Sequence, residues 1–465
     1  MNEFSRSPDG AFSPDERSEE GTPTVIDGVP SSRYALLRTL LLLILIIVLL
    51  IFMRGNFTFP QQLPAQNILT TGIIASIPEQ ANHSTQFIFI PDNTNTKIFL
   101  RWYYPPPVNL KIGDQWMLRI DLKPAWQNWL LTQNINGLGT VKFDYKNQII
   151  LPKKTTFPLQ KIRENIYTSI KKTLHNKPGL GFISALTIGM RDQITQTQWD
   201  DLRGTGTNHL MAIAGLHIGF LFGFIFYLAN KLWRLSKKLM LFLPAQEAGL
   251  ASGFIGALSY AALSGFAIPA KRAVIMLGVF VFFKLSRRKI NISTSYFMAV
   301  FLVLLIQPLS LWTPTFWLSF TAVALLIYGN GGRVGEPGLF WHWTRAQWVM
   351  AIGLIPLNLL FFQQISWVGF LANLIAIPYI GFIILPLCLI GIIIHPVWKL
   401  AEFLLMEFWQ LMHMLAKIPH SQYYHVIDMK LILPSFIGVM LLLAPKEFPA
   451  RWLGFCWLLP LFFGH

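Results

Sequence analysis

Hydrophobic and polar positions divide the chain into three stretches of different period. From Leu40 to Met53 fourteen apolar residues run without a break, and counting back to Ala35 gives nineteen, enough for one bilayer crossing. From about Asn56 to Leu151 the period is two. Runs such as Gln86-Phe87-Ile88-Phe89-Ile90 and Lys97-Ile98-Phe99-Leu100-Arg101-Trp102 predict half-buried strands. Pro91-Asp92-Asn93, Pro105-Pro106-Pro107 and Gly113-Asp114 punctuate them as turns, and a helix-like stretch, Ala125 to Asn134, interrupts them. About five short strands in roughly a hundred residues predict a small barrel or sandwich. Phe157 to Leu202 then alternates cations and aliphatics at helical spacing, as amphipathic helices near a membrane do.

Beyond His209 the chain is almost wholly apolar helix. Spans are expected near 209–230, 248–268, 272–285, 295–311, 313–328, 346–362, 367–394, 431–443 and 452–463, some too short or too interrupted to cross alone. Trp398 to Lys417, with Glu402, Glu407 and His413, reads as amphipathic. The predicted fold class is a polytopic α-helical membrane protein with an inserted small β-barrel domain outside the membrane. Its expected divisions are a disordered acidic tail (1–33), a first transmembrane helix (34–55), the β domain (56–155), amphipathic helices (156–203) and a multi-span domain (204–465). The acidic leader and late apolar run also argue against a cleaved signal peptide.

Composition sharpens this. Of 465 residues 53% are hydrophobic and 13% charged, against about a quarter charged in soluble domains, which excludes a soluble or disordered protein. The net charge is +16. Lys231, Arg234, Lys237 and Lys238 follow one span, Lys284, Arg287, Arg288 and Lys289 another, and Arg333 and Arg345 a third. The intervening loops, 307–314 and 362–366, carry no Lys or Arg. By the positive-inside rule the basic set is cytoplasmic. The first span, preceded by Arg33 and Arg38, then runs outward and places the β domain on the far side. Arg54 to Asp200 holds sixteen basic and eight acidic residues, an outward surplus that topology leaves unexplained and that suits an anionic partner.

Several chemistries are missing. The chain has no phosphate-binding Gly-Lys loop and no His-Glu-x-x-His, and its two cysteines, Cys388 and Cys456, lie far apart in apolar segments. No cofactor, resident metal or catalytic residue is expected, and the chain is read as a transport protein without its own motor.

Polar residues inside apolar helices are functional candidates because they are costly there. The richest cluster runs from Gly204 to Gly219 and holds Asn208, His209 and His217. On one helix the two histidines would stand about 80° and about 12 Å apart, too far to share a metal but able to line one side of a path. Lys271 and Arg272 begin another helix on the side where cations are not expected, and an anionic solute would account for them. Asn373, before Pro378 and Pro386, suits a discontinuous helix with backbone turned to water. In the β domain Arg101, Trp102, Tyr104, Lys111 and Arg119 combine basic and aromatic side chains, as a single-strand nucleic-acid platform does and as an ordinary barrel core does.

Thr205-Gly206-Thr207-Asn208-His209-Leu210-Met211-Ala212-Ile213-Ala214-Gly215-Leu216-His217-Ile218-Gly219 resembles the signature of the ComEC competence proteins. Ala185 to Arg191, Pro269 to Met276, Trp317-Leu318-Ser319-Phe320 and Ala372 to Pro378 match in order, so the resemblance runs from about Ile112 to Pro386. It implies a bacterial inner-membrane channel for single-stranded DNA in natural transformation, with an OB-like domain in the periplasm and the amino terminus in the cytoplasm. His209, His217, Lys271, Arg272, Asn373 and Asn208 would line or gate the path. Arg101, Trp102, Tyr104, Lys111 and Arg119 would hold the strand. Implied partners are single-stranded DNA, the lipid bilayer, a periplasmic DNA receptor and a cytoplasmic helicase or translocase, with a homo-oligomer and a separate nuclease left open. Three departures stand out: Ala214 replaces a usual Ser, Met190 a common Asp, and no Asn-Pro-Gly-Gly-Phe-Asp stretch follows Gly113-Asp114-Gln115-Trp116. The C-terminal metallo-β-lactamase-like domain of many members is expected to be absent from a chain running to His465. The rival readings are a carrier of another anionic polymer or solute, a structural subunit without a path, and an intramembrane hydrolase built on Ser264 with His217 as base.

Overall fold

The computed structural model describes residues 66–81, 84–94, 96–103, 110–124, 135–144, 147–152, 158–175, 177–287, 291–330, 338–419, 421–425, 429–444 and 448–463. The expected tail (1–33), the first span (34–55), the helix-like stretch Ala125 to Asn134, Tyr104 and the loop cations Arg288, Lys289 and Arg333 lie outside the described residues.

Period-two segments become seven strands: β1 (Gln66–Ile74), β2 (Glu79–Ala81), β3 (Ser84–Pro91), β4 (Lys97–Trp102), β5 (Asp114–Pro124), β6 (Ile135–Val141) and β7 (Gln148–Pro152). Because β1 pairs with both β3 and β5, the circuit β1-β3-β4-β6-β5-β1 closes into a five-stranded barrel. The β4–β6 contact is parallel and the other four are antiparallel. Closure leaves these five strands no unpaired edge. Alternation sends Phe87, Phe89, Leu100, Trp102, Trp116 and Leu118 into a core from which solvent is excluded.

Three helices lead from the barrel to the bundle: α1 (Pro158–Leu174), α2 (Leu180–Ile188) and α3 (Gln196–Gly204). Ile166, Ile170 and Leu174 recur every four residues on the buried side of α1, while its last turn carries Lys171 and Lys172. A reciprocal capping box between Thr195 and Gln198 starts α3.

The apolar region folds as α4 (Gly215–Trp233), α5 (Lys237–Phe242), α6 (Ala245–Leu263), α7 (Ile268–Leu285), α8 (Ile292–Ile306), α9 (Pro314–Asn330), α10 (Leu339–Gly353), α11 (Ile355–Phe362), α12 (Gly369–Ile390), α13 (Val397–Ala416), α14 (Ile432–Leu443) and α15 (Leu453–Leu458). Among the described residues α4 and α12 are long and apolar enough to cross a membrane, and Trp341–Gly353 with Ile355–Phe362, bent by 45°, makes a third span if counted as one. This is a membrane protein, mostly helical, with a barrel domain.

One expectation changes here. The helix expected to be discontinuous around Asn373 is one 22-residue helix, Gly369–Ile390, which absorbs Pro378 through a π-helical turn at Ile380–Ile384. Gly381 lies in that turn beneath the Phe220 ring of α4, where a methyl group would stand 2.3 Å from ring carbons. The polar face of α13 is seated against the connecting helices. Lys177 Nζ lies 3.2 Å from Glu402 Oε2, and His413 Nδ1 lies 2.8 Å from Asp201 Oδ2.

Candidate functional site

The segment between α3 and α4 is not helical throughout. After a short 3₁₀ turn, Asn208–Met211, Ala212 and Ala214 are extended, at φ −91°, ψ 141° and φ −90°, ψ 169°. His209 and His217 therefore sit on separate elements, not eight residues apart on one helix. The cause is tertiary. Ser366 Oγ donates to the Gly204 carbonyl at 2.7 Å, and Gly206, at φ +65°, lies against Ser366 and Gly369. A helix continuing through this region would break that docking.

The docked loop brings some of the expected residues together. His209 Nδ1 lies 3.0 Å from the Gly206 carbonyl, and Asn373 Nδ2 reaches the same oxygen at 3.5 Å, leaving Asn373 Oδ1 without a partner. Asn208 and His209 are exposed at the turn. His217 is 1% exposed, and its Nδ1 accepts the Ala214 N–H at 3.3 Å. This bond leaves Nδ1 unprotonated and makes the imidazole a helix cap. The residue cannot be an open wall of a wide path as the chain stands.

Lys271 and Arg272 occupy the first turn of α7, beside the first turn of α4. A Cβ at Gly215 would stand 3.5 Å from that of Ala273. Lys271 is half-buried and Arg272 is 1% exposed. Its Nε, Nη1 and Nη2 all lack a hydrogen-bond partner among the described residues. The starts of α4, α7 and α12 thus gather around the Gly204–Ala214 loop.

On the barrel the candidate residues separate. Arg101 is exposed and enters no ion pair among the described residues. Trp102, its neighbour, points inward and meets Trp116 edge-on at 5.7 Å, so its ring cannot stack on a base. Arg119 Nε pairs with Asp144 at 2.8 Å yet keeps part of its side chain exposed. Lys111 is exposed on a turn whose N–H bonds Asp114 Oδ2 at 3.2 Å. Burial pushes the Asp114 carboxyl up, while the Lys111 amide and ammonium pull it down. Ser264 Oγ donates to the Ala261 carbonyl at 2.6 Å, and no hydrogen bond joins Ser264 and His217.

Residues 186–449 match the Competence protein family. This chain belongs to that family, in its ComEC branch. The chain is 27% identical over 357 residues to Competence protein ComA of Neisseria gonorrhoeae, covering 73% of this chain and 50% of the relative. With Recombination protein 2 of Haemophilus influenzae it shares 27% over 374 residues, 74% of this chain and 45% of the relative. ComE operon protein 3 of Bacillus subtilis is 26% identical over 247 residues, 52% and 30% of the two chains. The chain spans half or less of the length of these relatives, and no solved structure matches it. Within the competence family match lie the loop, the starts of α4, α7 and α12, and the candidate residues of the bundle; the barrel lies before it.

The sequence did not point to Ser366 or to the Gly206 carbonyl, which organise this site through backbone docking. A polar Ser just before a helix start is the one signal Ser366 offered.

Proposed function

We propose that this competence-family protein conducts one strand of DNA across the inner membrane during natural transformation. The observation that carries the reading is the gathering of three helix starts, with His209, Asn373, Lys271 and Arg272, around one docked loop at the barrel end of the bundle. Helix starts present positive dipole ends, which favour a phosphate chain. The family match and the competence relatives support the same reading.

The barrel is OB-like in this account. A closed five-stranded circuit with a single parallel contact agrees with that fold, which commonly binds single strands. Arg101, Lys111 and Arg119 hold phosphates on its outer face, and Tyr104 is proposed to hold the strand with them. Trp102 supports it from within. The bundle is multi-pass, with the amino terminus cytoplasmic and the barrel periplasmic. A separate cytoplasmic helicase or translocase pulls the strand, and a periplasmic receptor delivers it.

Uptake of fluorescent DNA in a clean deletion strain tests this. Loss of nuclease-protected label is the expected outcome; undiminished internalisation sinks the reading and favours another anionic cargo.

A further inference from the structure

Arg272 is a guanidinium enclosed by protein, and none of its nitrogens has a partner among the described residues. Such a group carries five N–H donors and a permanent charge, and burying it uncompensated is strongly unfavourable. Among the described residues the ion pairs do not include it. Two further cations stand close by. Lys271 precedes it on the same turn, and the positive charge of Lys97, at the start of β4 on the barrel, bears on Lys271.

Lys97 is held there by two features of the barrel. Its backbone N–H donates to Asn136 Oδ1 at 3.2 Å, where the parallel β4–β6 register shifts. The adjacent barrel face, Ile135 with Ile88, Phe99 and Leu138, packs on Leu309 of the 3₁₀ turn Pro308–Trp312 between α8 and α9. The barrel therefore rests on the bundle through the sheet that Lys97 borders. Ala267, the residue before that helix, provides no side-chain cap for its first turn.

We propose that Lys97, Lys271 and Arg272 form a phosphodiester-binding site at the barrel–bundle junction, passing successive phosphates of a DNA strand from one to the other. The site rests on the DNA-conducting reading above. A planar guanidinium matches phosphate oxygens two at a time, and the lysines supply point charges on either side. A phospholipid headgroup has the same chemistry. The packing of the barrel on the bundle beside this point favours a strand that passes from one to the other.

The test uses the full chain in nanodiscs of phosphatidylcholine, titrated with labelled oligothymidylate over a salt series. Lys97→Gln and Arg272→Met are each expected to weaken binding about tenfold or more. Each is expected to lower the salt slope by about 0.7, the share of one phosphate contact on a single strand. Lys399→Gln, at an exposed position on α13, is expected to bind as wild type. Without DNA, Arg272→Met is expected to melt no lower than wild type, since it removes an unpaired buried charge. Wild-type affinity and slope in both variants would overturn the site. So would an Arg272→Met protein that melts lower while binding DNA normally, which makes the guanidinium structural. A thermal response to phosphatidylglycerol that both variants lose, with DNA binding intact, would overturn the DNA assignment for a lipid headgroup. If wild type binds no oligonucleotide, the conducting reading fails and takes the site with it. If wild type binds and only Arg101→Gln weakens it, the site fails alone.

Discussion

His209 and Asn373, 164 positions apart in sequence, meet on one backbone oxygen, that of Gly206. The contact ties the loop ahead of α4 to the first turns of α12, so either side chain acts on the geometry of both. Asn373→Leu keeps the volume and removes the amide. It is expected to lower DNA uptake at least tenfold at equal membrane levels, with a melting shift worth about 1 kcal/mol. Quantitative transformation beside a membrane immunoblot checks it.

Gly206 should tolerate no side chain. Its φ of +65° is costly for L residues, by about 1–2 kcal/mol, and a Cβ there would stand 3.3 Å from that of Ser366. Gly206→Ala is expected to destabilise the purified protein by that amount or more and to abolish uptake. Ser366→Ala, which removes only the bond to Gly204, is expected to cost about 1 kcal/mol in the same melting assay.

The expectation that His209 and His217 share a helix failed for a physical reason. Ala212, Ile213 and Ala214 offer no local signal to leave the helix, because Ala is the best helix former. Ser366 and Gly369 hold the loop at Gly204 and Gly206, and Ile213 packs with Tyr260, Ala270 and Val274, all far off in sequence. The long apolar helices were legible because their period and length depend on no distant partner. The placement of Trp102 was legible but misread. Arg101 and Trp102 are adjacent on a strand, so they must face opposite ways, and Leu100 two residues before Trp102 already marked the inward side. The nearness of Lys97 to Lys271 had no sequence signal, since it arises from how barrel and bundle dock.

That opposite facing separates stability from binding. Trp102→Ala opens the barrel core and is expected to cost about 3–5 kcal/mol in urea unfolding. Arg101→Ala is expected to leave the unfolding midpoint in place while weakening oligothymidylate binding several-fold in an anisotropy titration.

Phe220 and Gly381 form a size-matched pair across α4 and α12. Gly381→Ala alone is expected to destabilise by about 1–3 kcal/mol through overpacking. Adding Phe220→Leu should recover most of that loss, giving a coupling energy on the order of 1 kcal/mol in a double-mutant cycle. Independent, additive effects would show that the π-helical turn does not depend on this contact.

His217 fixes the start of α4 beside those of α7 and α12, where the DNA path is proposed to run. His217→Gln can still accept the Ala214 N–H and keep the cap, whereas His217→Ala cannot. The measurement is internalised, nuclease-protected DNA in a deletion strain complemented with wild type, His217→Gln or His217→Ala, at matched membrane levels. Wild type and His217→Gln are expected to restore uptake, and His217→Ala to fall at least tenfold short. Uptake at the wild-type level with His217→Ala would contradict the path assignment, and uptake in the uncomplemented deletion would contradict the function itself.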